Sequence, residues 1–240
     1  MVTHVVKPPE VTSDEGGLRE LLATACRILY HLKLSDYLGH PSARVPGTDR
    51  VLIKPRHSAR VRGMDTMTGD RMIVVDLDGK LLEGDDPPPS EQYIHLEIYR
   101  ARPDVLSVVH THQPMSTLLG IANQPILPIL HVAAPLVERP VPTFPCAELV
   151  VNAPLGKRLA EALGDHQVCH LQGHGIVSVG QTVQEATIAA VHLEMLAEAN
   201  YRIAAIGKNP RVIPPDEIAA LRQNLAPLTG RWAYYAEIAG

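Results

Sequence analysis

Residues 105–109, Val-Leu-Ser-Val-Val, form a short β-type run that reads as a strand buried on both faces. Such runs alternate with helical patterns along the chain, which constrains the fold to a mixed α/β layer arrangement. An N-terminal helix is marked by Thr12-Ser13-Asp14-Glu15, similar to a capping box, and by Leu18, Leu21, Leu22, Ala25, Ile28, Leu29 and Leu32 on one face before Gly39. Strands are predicted at Val51 to Lys54, at Met72 to Leu77 closed by the turn pair Asp78-Gly79, and at Cys169 to Leu171 with Ile176 to Val179. Helices are predicted from Glu91 to Ala101 after the connector Pro87-Pro88-Pro89-Ser90, then over 147–163, 183–206 and 215–224, and near Arg231 to Ile238. No repeat or flexible linker divides residues 1–240, so one domain is expected.

Partners are narrowed by composition. A hydrophobic share of 45% over 240 residues is enough for a substantial core. The net charge of −4, with acids and bases interspersed, leaves no basic face for nucleic acid. The most apolar later segment, 125–137, is cut by prolines and a histidine, so no membrane partner is expected. Cys26, Cys146 and Cys169 are odd in number and form no C-x-x-C, which fits a reducing, cytoplasmic setting.

The buried run ends in His110-Thr111-His112. Side chains at i and i+2 of a strand point the same way, so both rings share a face. Neutral imidazole is a common ligand of zinc and similar ions, and catalytic sites typically take three protein ligands and leave a position open. A pair of hydrogen-bonded surface histidines has the same spacing. His174 stands between Gly173 and Gly175, where glycine permits a tight turn, and reads either as a third ligand or as a turn histidine. Glu91 offers a carboxylate, although an acid in the first turn of a helix is also favourable for its own sake.

Several segments, in order, resemble the class II aldolase/adducin family: Gly39-His40-Pro41-Ser42-Ala43-Arg44, Asp76-Leu77-Asp78-Gly79, Pro89-Ser90-Glu91, His95, Arg102-Pro103-Asp104, Val108-Val109-His110-Thr111-His112 and Gln172-Gly173-His174-Gly175-Ile176. The step from Glu91 to His110 also matches the family's spacing. The resemblance implies a three-layer αβα fold around a central, mainly antiparallel sheet. It implies one divalent metal ion, zinc, manganese, iron or cobalt, on His110, His112 and His174, with Glu91 moving the proton and no organic cofactor. It further implies a homotetramer with sites between subunits, and the tail residues Arg231, Tyr234 and Tyr235 read either as contributors to a neighbour's site or as ordinary packing of an aromatic helix.

The departures from the sugar-phosphate members bear on substrate. His40 replaces an asparagine, Lys54-Pro55-Arg56-His57-Ser58 replaces a small hydroxyl-glycine turn, and Pro89-Ser90 replaces a serine pair. Lys54, Arg56, His57, Arg60 and Arg62 form a basic cluster suited to carboxylates, or else a solvated loop. Val132 follows His131 near the point where family aldolases carry a proton-donating tyrosine. By resemblance the chain falls nearest the branch that decarboxylates dihydroxyphthalate-like or related ring-cleavage acids through a metal-held enolate. Lys54, Arg56, His57, Arg60, Ser42, Ser90 and His131 would line its site, around a small carboxylated substrate. The other readings are a sugar-phosphate aldolase or pentulose-phosphate 4-epimerase, and a non-catalytic adducin-like interaction domain.

Overall fold

A computed structural model of the chain describes residues 14–225 and 228–240. In chain order its elements are α1 (Glu15–His31), β1 (His40–Arg44), β2 (Val51–Ile53), β3 (Ile73–Val75), β4 (Leu81–Glu83), α2 (Tyr93–Ala101), β5 (Ser107–Thr111) and α3 (Pro114–Ile121). They continue with β6 (Thr143–Phe144), α4 (Ala153–Leu163), β7 (Val168–Leu171), β8 (Gly175–Gly180), α5 (Val183–Ala205), α6 (Pro215–Asn224) and α7 (Leu228–Ala239). The strands form one eight-stranded sheet in the order β4-β3-β2-β1-β5-β8-β7-β6. Every pairing is antiparallel except that of β6 with β7.

Strand alternation sends neighbouring side chains into two cores. Val109 and Ile176 join α1 and α5 residues such as Leu22, Leu29, Ala190 and Leu196 on one face. Val108 and Val177 join Ile94, Tyr99 and Leu159 from α2 and α4 on the other. The result is a three-layer αβα arrangement around a mainly antiparallel sheet, as expected. Among the described residues no helix is long and apolar enough to cross a membrane.

Local chemistry explains the ends of several elements. Asp14 caps α1, its carboxylate accepting from the N–H groups of Gly16 and Gly17 at 3.3 and 3.0 Å. Thr12 and Ser13 of the expected capping box lie outside the described residues. The helix expected over 147–163 starts only at Ala153, because Asn152 caps it, accepting from the Leu155 N–H at 3.0 Å, and Pro154 occupies its first turn. The helix expected from Glu91 starts at Tyr93, which leaves Glu91 in the preceding turn. Four elements carry no expectation from the sequence: β1, which holds Pro41 and polar residues at 40, 42 and 44, α3, which opens on Pro114, and the short strands β4 and β6.

Helices α2 and α4 approach closely at a glycine. A Cβ at Gly156 would stand 2.4 Å from the Tyr93 carbonyl oxygen. Gly156→Ala is therefore expected to cost about 1–3 kcal/mol of stability through overpacking. A thermal melt should show Tm falling by several degrees; an unchanged Tm would mean that the two helices have room to spare.

Candidate metal centre

The register of β5 against β8 brings distant histidines together. His110 pairs with Val177 and Thr111 with Ile176, so one further step places His112 opposite Gly175, beside His174. Glycine makes this approach possible: a Cβ at Gly175 would stand 2.2 Å from the Thr111 carbonyl oxygen, and Gly173 holds φ at +66°. The Nε2 atoms of His110 and His112 are 3.0 Å apart, and those of His112 and His174 are 3.1 Å apart. An Oε2 atom of Glu91 lies 3.5 Å from His174 Nε2. Its Oε1 accepts from the Val150 N–H at 2.9 Å, which pins the carboxylate in place.

Proton bookkeeping makes His110 Nε2 a ligand rather than a donor. His110 Nδ1 lies 2.8 Å from the Ile176 carbonyl, which only accepts, so Nδ1 carries the hydrogen and Nε2 keeps its lone pair. Burial, then the neighbouring imidazoles, holds His110 well below the usual histidine range. Burial and His174 bring His112 down to about 4. One ligand atom from each of Glu91, His110, His112 and His174 lies within 4.8 Å of the others. Two nitrogens bonded to one zinc-like ion at about 2.0–2.1 Å are separated by no more than about 4 Å, so the observed spacings fit a shared divalent ion. A cleft of about 470 Å³ opens beside His112, walled by the end of α1 and the loop to Asp36.

A second group of side chains, only partly foreseen, lies behind this set. His40 sits opposite His110 across the β1–β5 ladder, and its ring centroid is 5.1 Å from that of His110. His40 Nδ1 is 2.7 Å from His95 Nε2, and Ser42 Oγ is 2.7 Å from both His95 Nδ1 and the Tyr99 hydroxyl. Ser42 is fully buried, so it stands behind the cleft rather than lining it. Burial lowers His95 to about 3 and raises Tyr99. His95 and Tyr99 stand four residues apart on α2, which aligns them along one helix face.

The basic cluster does not act as a unit. Lys54 is only 2% exposed and donates to the Tyr37 and Pro55 carbonyls at 3.3 and 3.2 Å. Its pKa is lowered, because burial outweighs the opposing influence of Cys26 and Asp36. Arg56, His57 and Arg62 are exposed, and the His57 ring rests against Tyr37 at 4.9 Å between centroids. Arg60 is already engaged with Asp85 and Asp86 at 3.7 and 3.5 Å. Ser90 is exposed next to Glu91, and His131 is exposed in the turn ahead of residues 134–137. Arg231, Tyr234 and Tyr235 lie on α7, which packs on the α1/α5 side of the sheet. Tyr235 approaches Met195 Sδ at 3.9 Å and Tyr234 is exposed, so the α7 residues are not gathered at the imidazoles of their own chain.

Comparison with known proteins adds to this geometry. Residues 20–201 match the Class II Aldolase and Adducin N-terminal domain. A 3,4-dihydroxyphthalate decarboxylase from Arthrobacter keyseri is 34% identical over 216 residues, covering 86% of each chain. The enzyme of the same name from a Terrabacter species is 36% identical over 213 residues, covering 85% of this chain and 88% of the relative. A 5-methylthioribulose-1-phosphate/5-deoxyribulose-1-phosphate aldolase from Rhodospirillum rubrum is 31% identical over 203 residues, covering 84% of this chain and 88% of the relative. Among solved structures, L-fuculose 1-phosphate aldolase from Glaciozyma antarctica shares the fold, with a TM-score of 0.80, 21% identity, and coverage of 97% of this chain and 93% of that one.

Buried imidazoles give the metal-free chain a defined pH dependence. His95 is held at about 3, and His112, His170 and His192 at about 4, mainly by burial, against an ordinary 6.5. Between pH 6.5 and 4 the unfolded chain binds more protons than the folded one, so stability rises with pH across that window and is lost as pH falls. Urea midpoints of metal-free protein should drop steadily from pH 6.5 to pH 5 and change little from pH 7 to pH 8. A flat profile between pH 5 and pH 7 would mean that these rings are not buried in neutral form.

Proposed function

The chain belongs to the class II aldolase and adducin family, and on that premise we propose that it is a divalent-metal-dependent carboxy-lyase acting on a dihydroxyphthalate-like aromatic acid. One observation carries the reading: the convergent imidazoles and Glu91 adjoin His40, whose ring is 5.1 Å from that of His110, and His40 feels the charge of a buried ammonium group, Lys54, that has no carboxylate in ion-pair contact among the described residues. A buried cation held by two carbonyl oxygens, with Asp36 acting on it only beyond ion-pair distance, favours an anionic ligand. The relatives named above that are carbon–carbon lyases acting by CO2 loss support the same chemistry.

In this reading His110, His112 and His174 would hold a divalent ion. When bound, the ion would supply Lewis-acid stabilisation of negative charge on the substrate. Glu91 delivers a proton from Oε2 to the ring carbon that bears the departing carboxylate, while the Val150 N–H keeps the other oxygen fixed. The C–C bond to that carboxylate then breaks, its electron pair returns to the ring, and CO2 departs. Solvent reprotonates Glu91. Lys54 holds the second carboxylate, with Arg56, His57 and Ser90 at the exposed rim. Exposed Tyr234, with Arg231 and Tyr235 on the same helix, would serve a neighbour's site in a homotetramer. Three free thiols, with no disulfide among the described residues, support a cytoplasmic setting.

The match to the Rhodospirillum aldolase keeps aldol cleavage as the second reading. The two separate on products. Metal-loaded protein given 3,4-dihydroxyphthalate should release CO2, and given fuculose 1-phosphate should release no aldehyde. Glu91→Gln should keep its metal while losing about 10²-fold or more of the rate, and Lys54→Met should raise KM. Rapid aldehyde release without CO2 would overturn the carboxy-lyase reading, and a fully active Glu91→Gln would remove that residue from proton transfer.

A further inference from the structure

The chain of hydrogen bonds behind the imidazole set has a direction, and it can be read by following each proton. The Tyr99 hydroxyl has one side-chain partner, Ser42 Oγ at 2.7 Å, and burial keeps the phenol protonated, so Tyr99 donates and Ser42 accepts. Ser42 then has its own hydrogen to place. Its choices are His95 Nδ1 at 2.7 Å and the Val108 carbonyl at 3.5 Å, and the shorter contact is the far better bond. With Nδ1 accepting, a neutral His95 carries its hydrogen on Nε2 and donates it to His40 Nδ1 at 2.7 Å. A neutral His40 must in turn carry its hydrogen on Nε2. That atom has no hydrogen-bond partner among the described residues, on a ring that is 8% exposed and lies against His110. The reverse order can also use every short contact, with Ser42 donating to the Tyr99 hydroxyl, but it leaves the hydrogen of that buried hydroxyl with no side-chain acceptor among the described residues. Only the outward order gives every buried hydrogen of the chain a short bond up to His40.

We propose that His40 is a substrate-contacting hydrogen-bond donor, a neutral imidazole held in its Nε2–H tautomer by the positioning residues His95, Ser42 and Tyr99. Its partner is a substrate oxygen on which negative charge grows, which on the carboxy-lyase reading above is the ring oxygen adjacent to the carbon that loses CO2. A neutral donor fixed beforehand stabilises such charge without reorganising as it forms. Nothing in this role requires His40 to gain or lose a proton.

The test reads tautomers directly. In zinc-loaded, full-length protein labelled with ¹⁵N-histidine, long-range ¹H–¹⁵N correlation at pH 7.5 should show both His40 and His95 protonated at Nε2. Addition of 3,4-dihydroxybenzoate as probe should shift the His40 Nε2–H resonance. Ser42→Ala removes the donor to His95 Nδ1, and should change the tautomer populations of both rings and lower kcat on 3,4-dihydroxyphthalate with KM within about twofold. His40→Phe should lower kcat/KM by about 10²-fold at unchanged zinc content. Nδ1 protonation of His40 in the wild-type protein would overturn the proposal, and so would a Ser42→Ala variant with unaltered tautomers. Should Ser42→Ala fail to fold, the wild-type spectrum alone decides. If the wild-type protein releases no CO2, the reaction assignment falls while the spectrum and the probe titration still judge the role of His40.

Discussion

The hydrogen-bonded register between β5 and β8 is the constraint on which the site depends. It sets Thr111 against Ile176, and from that pairing follows the meeting of a strand-end histidine pair with an imidazole more than sixty residues further along the chain. A slip of one residue would turn His110 from the α2 side of the sheet to the α1/α5 side and withdraw it from His174. Burial of both faces prevents that slip, because Val108 and Val109 fill separate cores and could not exchange places without exposing or overpacking one of them. Gly175 makes the register usable, since any side chain there would collide with the Thr111 carbonyl. Packing energy spent along β5 thus fixes the donor atoms at its end.

Electrostatics then gives the fixed atoms their character. His110 and His112, pressed against each other and His174 and shielded from water, avoid protonation, because a charge there would be costly beside the neighbouring rings and poorly solvated. What remains is a pocket of lone pairs, with the hydrogen of His110 committed to the Ile176 carbonyl. The Glu91 carboxyl group adds oxygen donors at one side, and the Lys54 ammonium adds a positive charge felt by His40, whose ring lies against His110. Such an arrangement favours a divalent cation and, beyond it, an anionic organic ligand.

The sequence discloses some of this and conceals the rest for physical reasons. The apolar stripe of α1, the Asp78-Gly79 turn and the i, i+2 spacing of His110 and His112 depend on local periodicity, and each is legible. Pro114 after Gln113 is a helix-start signal that local reading could also have used for α3. By contrast, β1 has no strand signature: Pro41 removes a ladder donor, and its polar side chains are buried only because α2 supplies partners for them. Lys54 is a similar case, a residue of an apparently solvated basic loop that the sheet draws inside. Arg60 shows the reverse, its charge absorbed by Asp85 and Asp86 some twenty-five residues later, a pairing that no spacing rule reveals. Ser42, legible as part of a motif, owes its true neighbours His95 and Tyr99 to tertiary packing alone.

The central claim is that three imidazoles, two at the end of β5 and one in the turn before β8, hold one divalent ion. It is tested most directly by diffraction from crystals grown with zinc, with data collected on both sides of the zinc absorption edge. The account predicts a single anomalous peak per chain, bonded to the Nε2 atoms of His110, His112 and His174. Crystals in which no peak appears there, or in which the three rings point away from one another, would contradict it.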